Sequence, residues 1–515
     1  MNSHSREVAR NAAVVGGATL LSRILGFLRD VVVAFALGAG LGSDAFFVAF
    51  RVPNLLRRLF GEGSLTMAFI PVFSRIRTDE GDEAAFALAR SVQVWLMCIL
   101  GALVAAGVLL APWLTRIIAP GFTDDKVLFG LTVHLIQICF PYILFISSVA
   151  LCMGILNAMG HFLMPALAPC VLNIVLIVSA LAGYWGGGNV AVAMSWGVLA
   201  GGILQWLFQQ RALRSRGFSW RGPWGWKQQG VQRVGKLMLP TVFGAAVYQI
   251  NIVLSTLLAS FLPMGSVSYL YYADRLVQFP LGVFGIAVGT AALPSLSRLA
   301  ADKAMDDFRQ TLDSALGLTI FIALPSTAGL IALAVPIIQL LFERGAFAAN
   351  AAASTSAALV AYGIGLPAIA LVRPLVSAFY ALEDTRTPVL IAFVCMLVNV
   401  GLGYVLMQSM AHVGLALAVS VSGWLNALLL LALLHRRTGK FMAHSLKTIA
   451  VSVALSLCIG VGAWQTTHWG MIWALALIPV WGVAYLAFGY LLRMGEARLL
   501  VGAVRRKLGH ARGAA

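Results

Sequence analysis

Long apolar runs recur along the whole chain, separated by short clusters of polar and charged residues. Most runs reach or exceed the roughly 20 residues that an α-helix needs to cross a bilayer. The pattern predicts helices over 9–37, 44–74, 91–113, 129–157, 163–184, 190–210, 234–261, 267–297, 311–341, 352–380, 387–408, 412–434, 447–466 and 470–492. The longest of these must tilt, bend or project into water. The first stretch, MNSHSREVARNAAVVGGATLLSRILGF, has the outline of a signal peptide, but Arg23 and Arg29 interrupt its apolar core. It is read as a retained first helix.

Composition agrees with the pattern. Of 515 residues, 60% are hydrophobic and 11% charged, against roughly 25% charged in a soluble domain. The mean hydropathy is +0.90. The net charge of +17 would suggest nucleic acid in a soluble protein. Its distribution argues otherwise. With fourteen spans and both termini cytoplasmic, 26 of the 36 Lys and Arg fall in inner segments, seven inside spans, and three (Arg116, Lys126, Arg344) in outer loops. This asymmetry follows the positive-inside rule. The basic excess then faces the cytoplasm and anionic headgroups, with no nucleic acid required. The expected location is the cytoplasmic (inner) membrane, crossed many times.

The halves resemble each other. AFIPVFSRI (68–76) matches AALPSLSRL (291–299), and NAMGHFLMP (157–165) aligns with YALEDTRTP (380–388), both at an offset of 223 residues. The offset spans six helices, so the copies share one orientation: a parallel repeat with its axis along the membrane normal. The expected organisation is an N-terminal lobe (1–213, helices 1–6), a basic linker (214–233), a second lobe (234–438, helices 7–12), and two further helices with a basic tail (439–515). The region around the linker, RALRSRGFSWRGPWGWKQQGVQRVGK, carries seven basic and no acidic residues, and its tryptophans suit the headgroup layer.

Seven arginines fall inside predicted spans: Arg23, Arg29, Arg51, Arg57, Arg58, Arg275 and Arg373, with Asp30, Asp44, Glu62 and Asp274 beside them. A charge at mid-bilayer costs several kcal/mol, on the order of 3 by insertion scales. Such groups line a polar cavity, pair, or snorkel. Snorkelling or ion pairing serves equally well for Arg51, Arg58 and Arg373, and packing or capping for Glu62, which lies between Gly61 and Gly63. Neighbouring helical residues do not face each other, so Asp30 and Asp274 are expected to orient arginines on other helices. Arg29, Arg57 and Arg275 come from helices 1, 2 and 8. A guanidinium excess at low dielectric suits an anion, and its planar fork matches phosphate oxygens.

No catalytic or metal set competes. GxxxxGK[ST] and HExxH are absent, the eight histidines are scattered, and His134 reads as a packed polar residue. The six cysteines lie in apolar spans without CxxC spacing and read as small packing residues. No cofactor and no bound metal are expected.

The stretch LLSRILGFLRDVVVAFALGAGLGSDAFFVAFRVPNLLRRLFGEGSLTMAFIPVFS (20–74) resembles the N-terminal signature of the MurJ (MviN) lipid II flippases. YYADRLVQFPLGVFGIAVGTAALPSLSR (271–298) resembles their second-lobe signature. The resemblance implies an all-α polytopic fold of the MOP exporter superfamily: two six-helix lobes in a V plus two C-terminal helices. It implies a flippase, not an enzyme, carrying lipid II from the inner to the outer leaflet by alternating access. It implies diphosphate binding by Arg23, Arg29, Arg57 and Arg275, with Ser22, Asp30, Asp44, Glu62 and Asp274 in support. Arg373 stands where relatives often carry lysine. Membrane lipids and a cell-wall synthesis complex are the further partners considered. Coupling to the membrane potential or to a cation is left open, with no cation site assigned. The rival readings are an O-antigen-type flippase and a drug/cation antiporter of the same superfamily; the latter expects cation-binding carboxylates where this chain offers an arginine excess.

Overall fold

The structure, a computed structural model, describes residues 3–58, 64–226, 229–282, 286–439 and 443–502. Glu62, Lys440 and the basic tail beyond 502 lie outside the described residues. Among these residues the chain is helical throughout: α1 (Ser3–Leu37), α2 (Leu41–Leu56), α3 (Ser64–Glu80), α4 (Asp82–Leu109), α5 (Ala111–Ile118), α6 (Lys126–Cys139), α7 (Tyr142–Ala158), α8 (Leu163–Trp185), α9 (Val190–Arg214) and α10 (Gln229–Ser260). There follow α11 (Ser266–Pro280), α12 (Ile286–Ala301), α13 (Met305–Ala332), α14 (Ala334–Phe342), α15 (Ala349–Ala381), α16 (Arg386–Thr438), α17 (Ala443–Thr466), α18 (Met471–Ala476) and α19 (Ile478–Leu491). Among the described residues, nine helical stretches are long and apolar enough to cross a membrane. The protein is an all-α, multi-pass membrane protein.

Several predicted spans appear as two helices. The expected span 44–74 is α2 and α3, and 267–297 is α11 and α12. Each first half ends in a wider, π-type turn, at 57–58 and at 281–282. The two turns are 224 residues apart, within one residue of the offset of the internal repeat. Glycine and proline punctuate both stretches, and helix interruptions of this kind are tolerated in membranes where neighbours meet the released backbone groups. Conversely, α16 runs 53 residues because two expected spans, 387–408 and 412–434, join at Ala411 (φ 48°, ψ −130°). Two helix starts carry the side-chain caps that fix their entry: Asp125 accepts from the N–H groups of Val127 and Leu128, and Asn189 from those of Ala191 and Val192.

The chain divides into two compact units. The first comprises residues 1–268 with 344–348 and the second 269–343 with 349–515. Within the first, α9 packs on α8 through small residues. A Cβ added at Gly197 would come within 2.3 Å of Ser179 Oγ, and one at Gly201 within 2.6 Å of Leu172 Cδ1. Close approach over glycine is how membrane helices gain packing where no hydrophobic drive separates protein from lipid. The linker also docks in this unit. Phe218 is buried edge-on against Phe86, the Gly225 N–H donates to Ser91 Oγ (2.9 Å), and Trp95 Nε1 donates to the Trp226 carbonyl (3.2 Å).

Within the second unit, α15 and α16 pack over Gly365, whose added Cβ would meet Ser420 Cα at 2.6 Å. A core of Leu296, Phe308, Leu312, Phe379, Leu430 and Leu434 joins α12, α13, α15 and α16. A separate core of Phe321, Ile459, Tyr485, Met494 and Ala497 holds α17, α19 and the helical segment 495–502 against α13. Large apolar side chains such as Leu109, Val127, Trp185 and Leu491 remain exposed, as lipid-facing positions require. Two side-chain expectations are corrected here. His134 is exposed rather than packed, and of the six cysteines Cys98 and Cys458 are exposed while four are buried.

Candidate functional site

In the first unit the candidate residues begin on α1. Arg29 turns its guanidinium back along its own helix: Nε and Nη2 donate to Asp30 Oδ1 at 3.1 and 2.7 Å. Nη1 donates to Asn173 Oδ1 of α8 at 3.0 Å. The Asn173 amide in turn donates to the Ser22 carbonyl (3.2 Å). Asp30 therefore accepts from its sequence neighbour, a pairing that the spacing of helical residues does not suggest. Backbone geometry does point adjacent residues apart. The arginine stem is long enough to fold back, and burial makes the pairing worthwhile: the side chains are only 14% and 6% exposed. An arginine buried this far without its carboxylate would be strongly destabilising.

Asn173 was not among the expected residues. It is 6% exposed and stands alone in the apolar run CVLNIVLIV, which is the signal that could have found it. It fixes the plane of the Arg29 fork across two helices. Ser22 is half-buried and contributes its backbone, while Arg23 is exposed.

On α2, Asp44 is buried and receives three hydrogen bonds. Gly265 N–H donates to Oδ2 (2.6 Å), and the N–H and hydroxyl of Ser268 donate to Oδ1 (2.9 and 2.5 Å). It thus holds the turn at 265–268 that starts α11. Arg51 donates to Thr256 Oγ1 (2.5 Å) of α10. Arg57, at the wider turn, donates through Nε to Asn54 Oδ1 (3.0 Å). Arg58 is half-buried, and Glu62 lies outside the described residues.

In the second unit Arg275 lies over the Tyr271 ring, 4.9 Å from its centroid, and Nη2 donates to the Tyr271 hydroxyl (3.1 Å). A cation over an aromatic face in a dry setting gains about 2 kcal/mol. Asp274 accepts from Gln278 one turn on, and Arg373 is exposed. Thus Arg29, Asp30 and Ser22 gather around Asn173, Arg57 bonds Asn54 and Arg275 bonds Tyr271, each about one turn earlier, and Asp44 serves a backbone turn. Among the described residues no group of three or more His, Cys, Asp or Glu could hold a metal. Held guanidinium forks can recognise planar oxyanions.

The profile of the family described as "Lipid II flippase MurJ" matches residues 33–491. A probable lipid II flippase MurJ of Vibrio cholerae is 36% identical over 490 residues, covering 93% of this chain and 91% of that protein. A solved lipid II flippase MurJ in an inward closed conformation superposes with a TM-score of 0.80 at 29% identity, covering 93% of this chain and 98% of that one. A multidrug resistance MATE family transporter of the MOP superfamily, inward-facing, shares the fold alone, with a TM-score of 0.69 at 13% identity over 83% of this chain and 98% of that one. The chain belongs to the MurJ lipid II flippase family, whose members are membrane transporters of peptidoglycan synthesis rather than enzymes.

Proposed function

We propose that this chain carries lipid II, the undecaprenyl-diphosphate-linked peptidoglycan precursor, from the inner to the outer leaflet of the bacterial cytoplasmic membrane. The diphosphate rests on Arg29, Arg57 and Arg275, with Arg23 assisting. Ser22, Asp30, Asp44, Glu62, Asp274 and Arg373 support these groups. The observation that carries the reading is Arg29, a guanidinium oriented inside an apolar helix by Asp30 and Asn173, in a chain of the lipid II flippase family. Partial neutralisation of the diphosphate lowers the cost of bringing it out of water. The polyprenyl tail stays in lipid.

The same reading has fourteen crossings with both termini cytoplasmic. The broken pairs α2/α3 and α11/α12, the two arms of α16, and α1 and α10 add to the long apolar stretches to give this number. The Lys and Arg distribution supports the orientation. Two six-helix lobes, 1–213 and 234–438, flank the linker at 214–233 and alternate access to the two faces. Each negative charge moved outward against an inside-negative potential gains about 2.3 kcal/mol per 100 mV.

The test is lipid II exposure at the outer leaflet in cells depleted of their own flippase. The intact chain restores exposure, whereas Arg29→Ala and Arg275→Ala at equal membrane levels do not. Normal exposure with either variant overturns the arginine assignment. No rescue by the intact, inserted chain overturns the substrate.

A further inference from the structure

The linker after α9 is built onto the first unit, and it brings aromatic rings to one place. Phe218 is buried against Phe86, and Trp220 Nε1 donates to Gln210 Oε1 (2.6 Å). The next turn rests on Arg90 of α4, which is buried. Its Nε donates to the Phe86 carbonyl (3.2 Å) and its Nη2 to Glu83 Oε1 (2.7 Å). The Gly222 backbone lies against the same guanidinium, so close that an added Cβ would come within 1.6 Å of Nη1. Beyond it, the Gly225 N–H donates to Ser91 Oγ and Trp95 Nε1 to the Trp226 carbonyl. These ties set three tryptophans edge to edge. The rings of Trp95 and Trp226 are 5.4 Å apart, and those of Trp224 and Trp226 5.2 Å. All three are exposed.

Two features decide what covers them. On α4, exposed residues recur at Trp95, Cys98, Ile99, Ala102, Ala106 and Leu109. Steps of three and four residues place them on one stripe. The stripe is apolar along its whole length, as a lipid-facing surface is, and Trp95 is its first member. The apolar run begins at Ser91, one turn before Trp95, whereas Asp82 and Glu83 at the start of the helix are exposed and charged. Trp95 therefore stands where α4 passes from water into lipid, the layer that tryptophan prefers. The second feature is charge. Arg211, Arg214, Arg216 and Arg221 are exposed, and residues 211–226 include no acid. An unopposed basic rim complements lipid phosphates.

We propose that Trp95, Trp224 and Trp226 form one foot, part α4 and part linker, that docks on the phospholipid interface, with Arg221 meeting lipid phosphates. The linker is thereby held at the membrane surface and moves with the first unit. The foot stands independently of Arg29, Arg57 and Arg275. Its assignment to the inner leaflet alone rests on the fourteen-crossing reading.

The full-length chain, with the exposed Cys98 and Cys458 changed to alanine, carries a nitroxide at Trp224→Cys in nanodiscs of phosphatidylethanolamine and phosphatidylglycerol. Collision with oxygen and with a nickel chelate reads the depth of the label, whichever leaflet holds it. The same label at Glu80→Cys marks water, and at Ile99→Cys it marks acyl chains. The expected depth at Trp224→Cys lies between the two. Adding Trp95→Ala releases the linker: nickel collision at 224 rises several-fold, to the level of Glu80→Cys, and the spectrum sharpens. A water-level reading with Trp95 in place overturns the proposal. Shielding from both oxygen and nickel overturns it too, since protein, a second copy included, would then cover the rings. Unchanged depth and line shape with Trp95→Ala overturns the shared foot. Where Trp95→Ala does not insert, Ser91→Ala removes the bond to Gly225 without touching a ring and is expected to sharpen the spectrum. An unchanged spectrum overturns the proposal equally.

Discussion

Two turns at the same place in the repeat do the same job with different chemistry. His161 follows α7 and Asp384 follows α15, and they lie 223 residues apart. Each meets an arginine from the end of a later helix in its own unit. In the first unit Arg216 donates through Nη1 to the Met159 carbonyl (3.0 Å) and lies with Nη2 3.3 Å from His161 Nδ1. The imidazole must be neutral to accept from a guanidinium. Burial, and then the Arg216 charge, push the His161 pKa below its usual value. In the second unit Asp384 Oδ1 accepts from the N–H groups of Arg386 and Thr387, at 3.0 and 2.9 Å, and so caps α16. Its other oxygen takes the Thr387 hydroxyl (2.6 Å) and Arg437. The Thr387 hydrogen bonds, and with them Arg437, hold its pKa below the ordinary carboxylate range. One turn is a neutral acceptor beside a cation, and the other is a charged cap and ion pair. The repeat thus preserves the position of the tie while leaving its strength free to differ.

The largest effect that can break this comparison is expected from Asp384→Ala, which removes a helix cap and an ion pair together. A lost cap costs about 1 kcal/mol, and a thermal melt of the purified protein should register more than that. His161→Ala, measured in the same way, should cost less. Equal losses would mean that the two turns are held alike.

A second, smaller effect separates them by pH. His161, with a folded pKa below the usual 6.5, contributes stability that is complete above about 6.5 and falls as acid protonates the unfolded chain first. Asp384, with a folded pKa below 3.8, holds its contribution above that value and loses it only as pH falls through the folded pKa. Hydrogen exchange at pH 7 and pH 5, corrected for intrinsic rates, should therefore show loosening of 157–165 and no change in 380–388. Matched behaviour of the two would refute the assignment. The smallest effect is expected from His161→Asp, which copies the second chemistry into the first. It should abolish the loosening near pH 5 and add a few tenths of a kcal/mol at neutral pH, the scale of an exposed ion pair.

Much of this architecture was legible in the sequence, because lipid enforces one rule everywhere: apolar length. The runs over 163–184 and 190–210 became α8 and α9 within a few residues, and the offset of 223 also relates the two arginine-held turns and, to within one residue, the two wider turns. What escaped reading was decided by side-chain reach and by distance in the fold. Spacing rules place Arg29 and Asp30 on different faces, but a flexible stem overrides them once both are buried. The target of Asp44 is a turn more than 200 residues away, and nothing local announces it. Asn173 was visible as a polar residue in an apolar run. Being uncharged, such an amide costs less within an apolar run than a charge does and so gives a weaker signal.

The wider turns at 57–58 and 281–282 also bear on history. A feature carried within one residue of the same register by both copies of a repeat was present before the copying. The interrupted helix is therefore older than the full-length chain, and a half-length ancestor already possessed it.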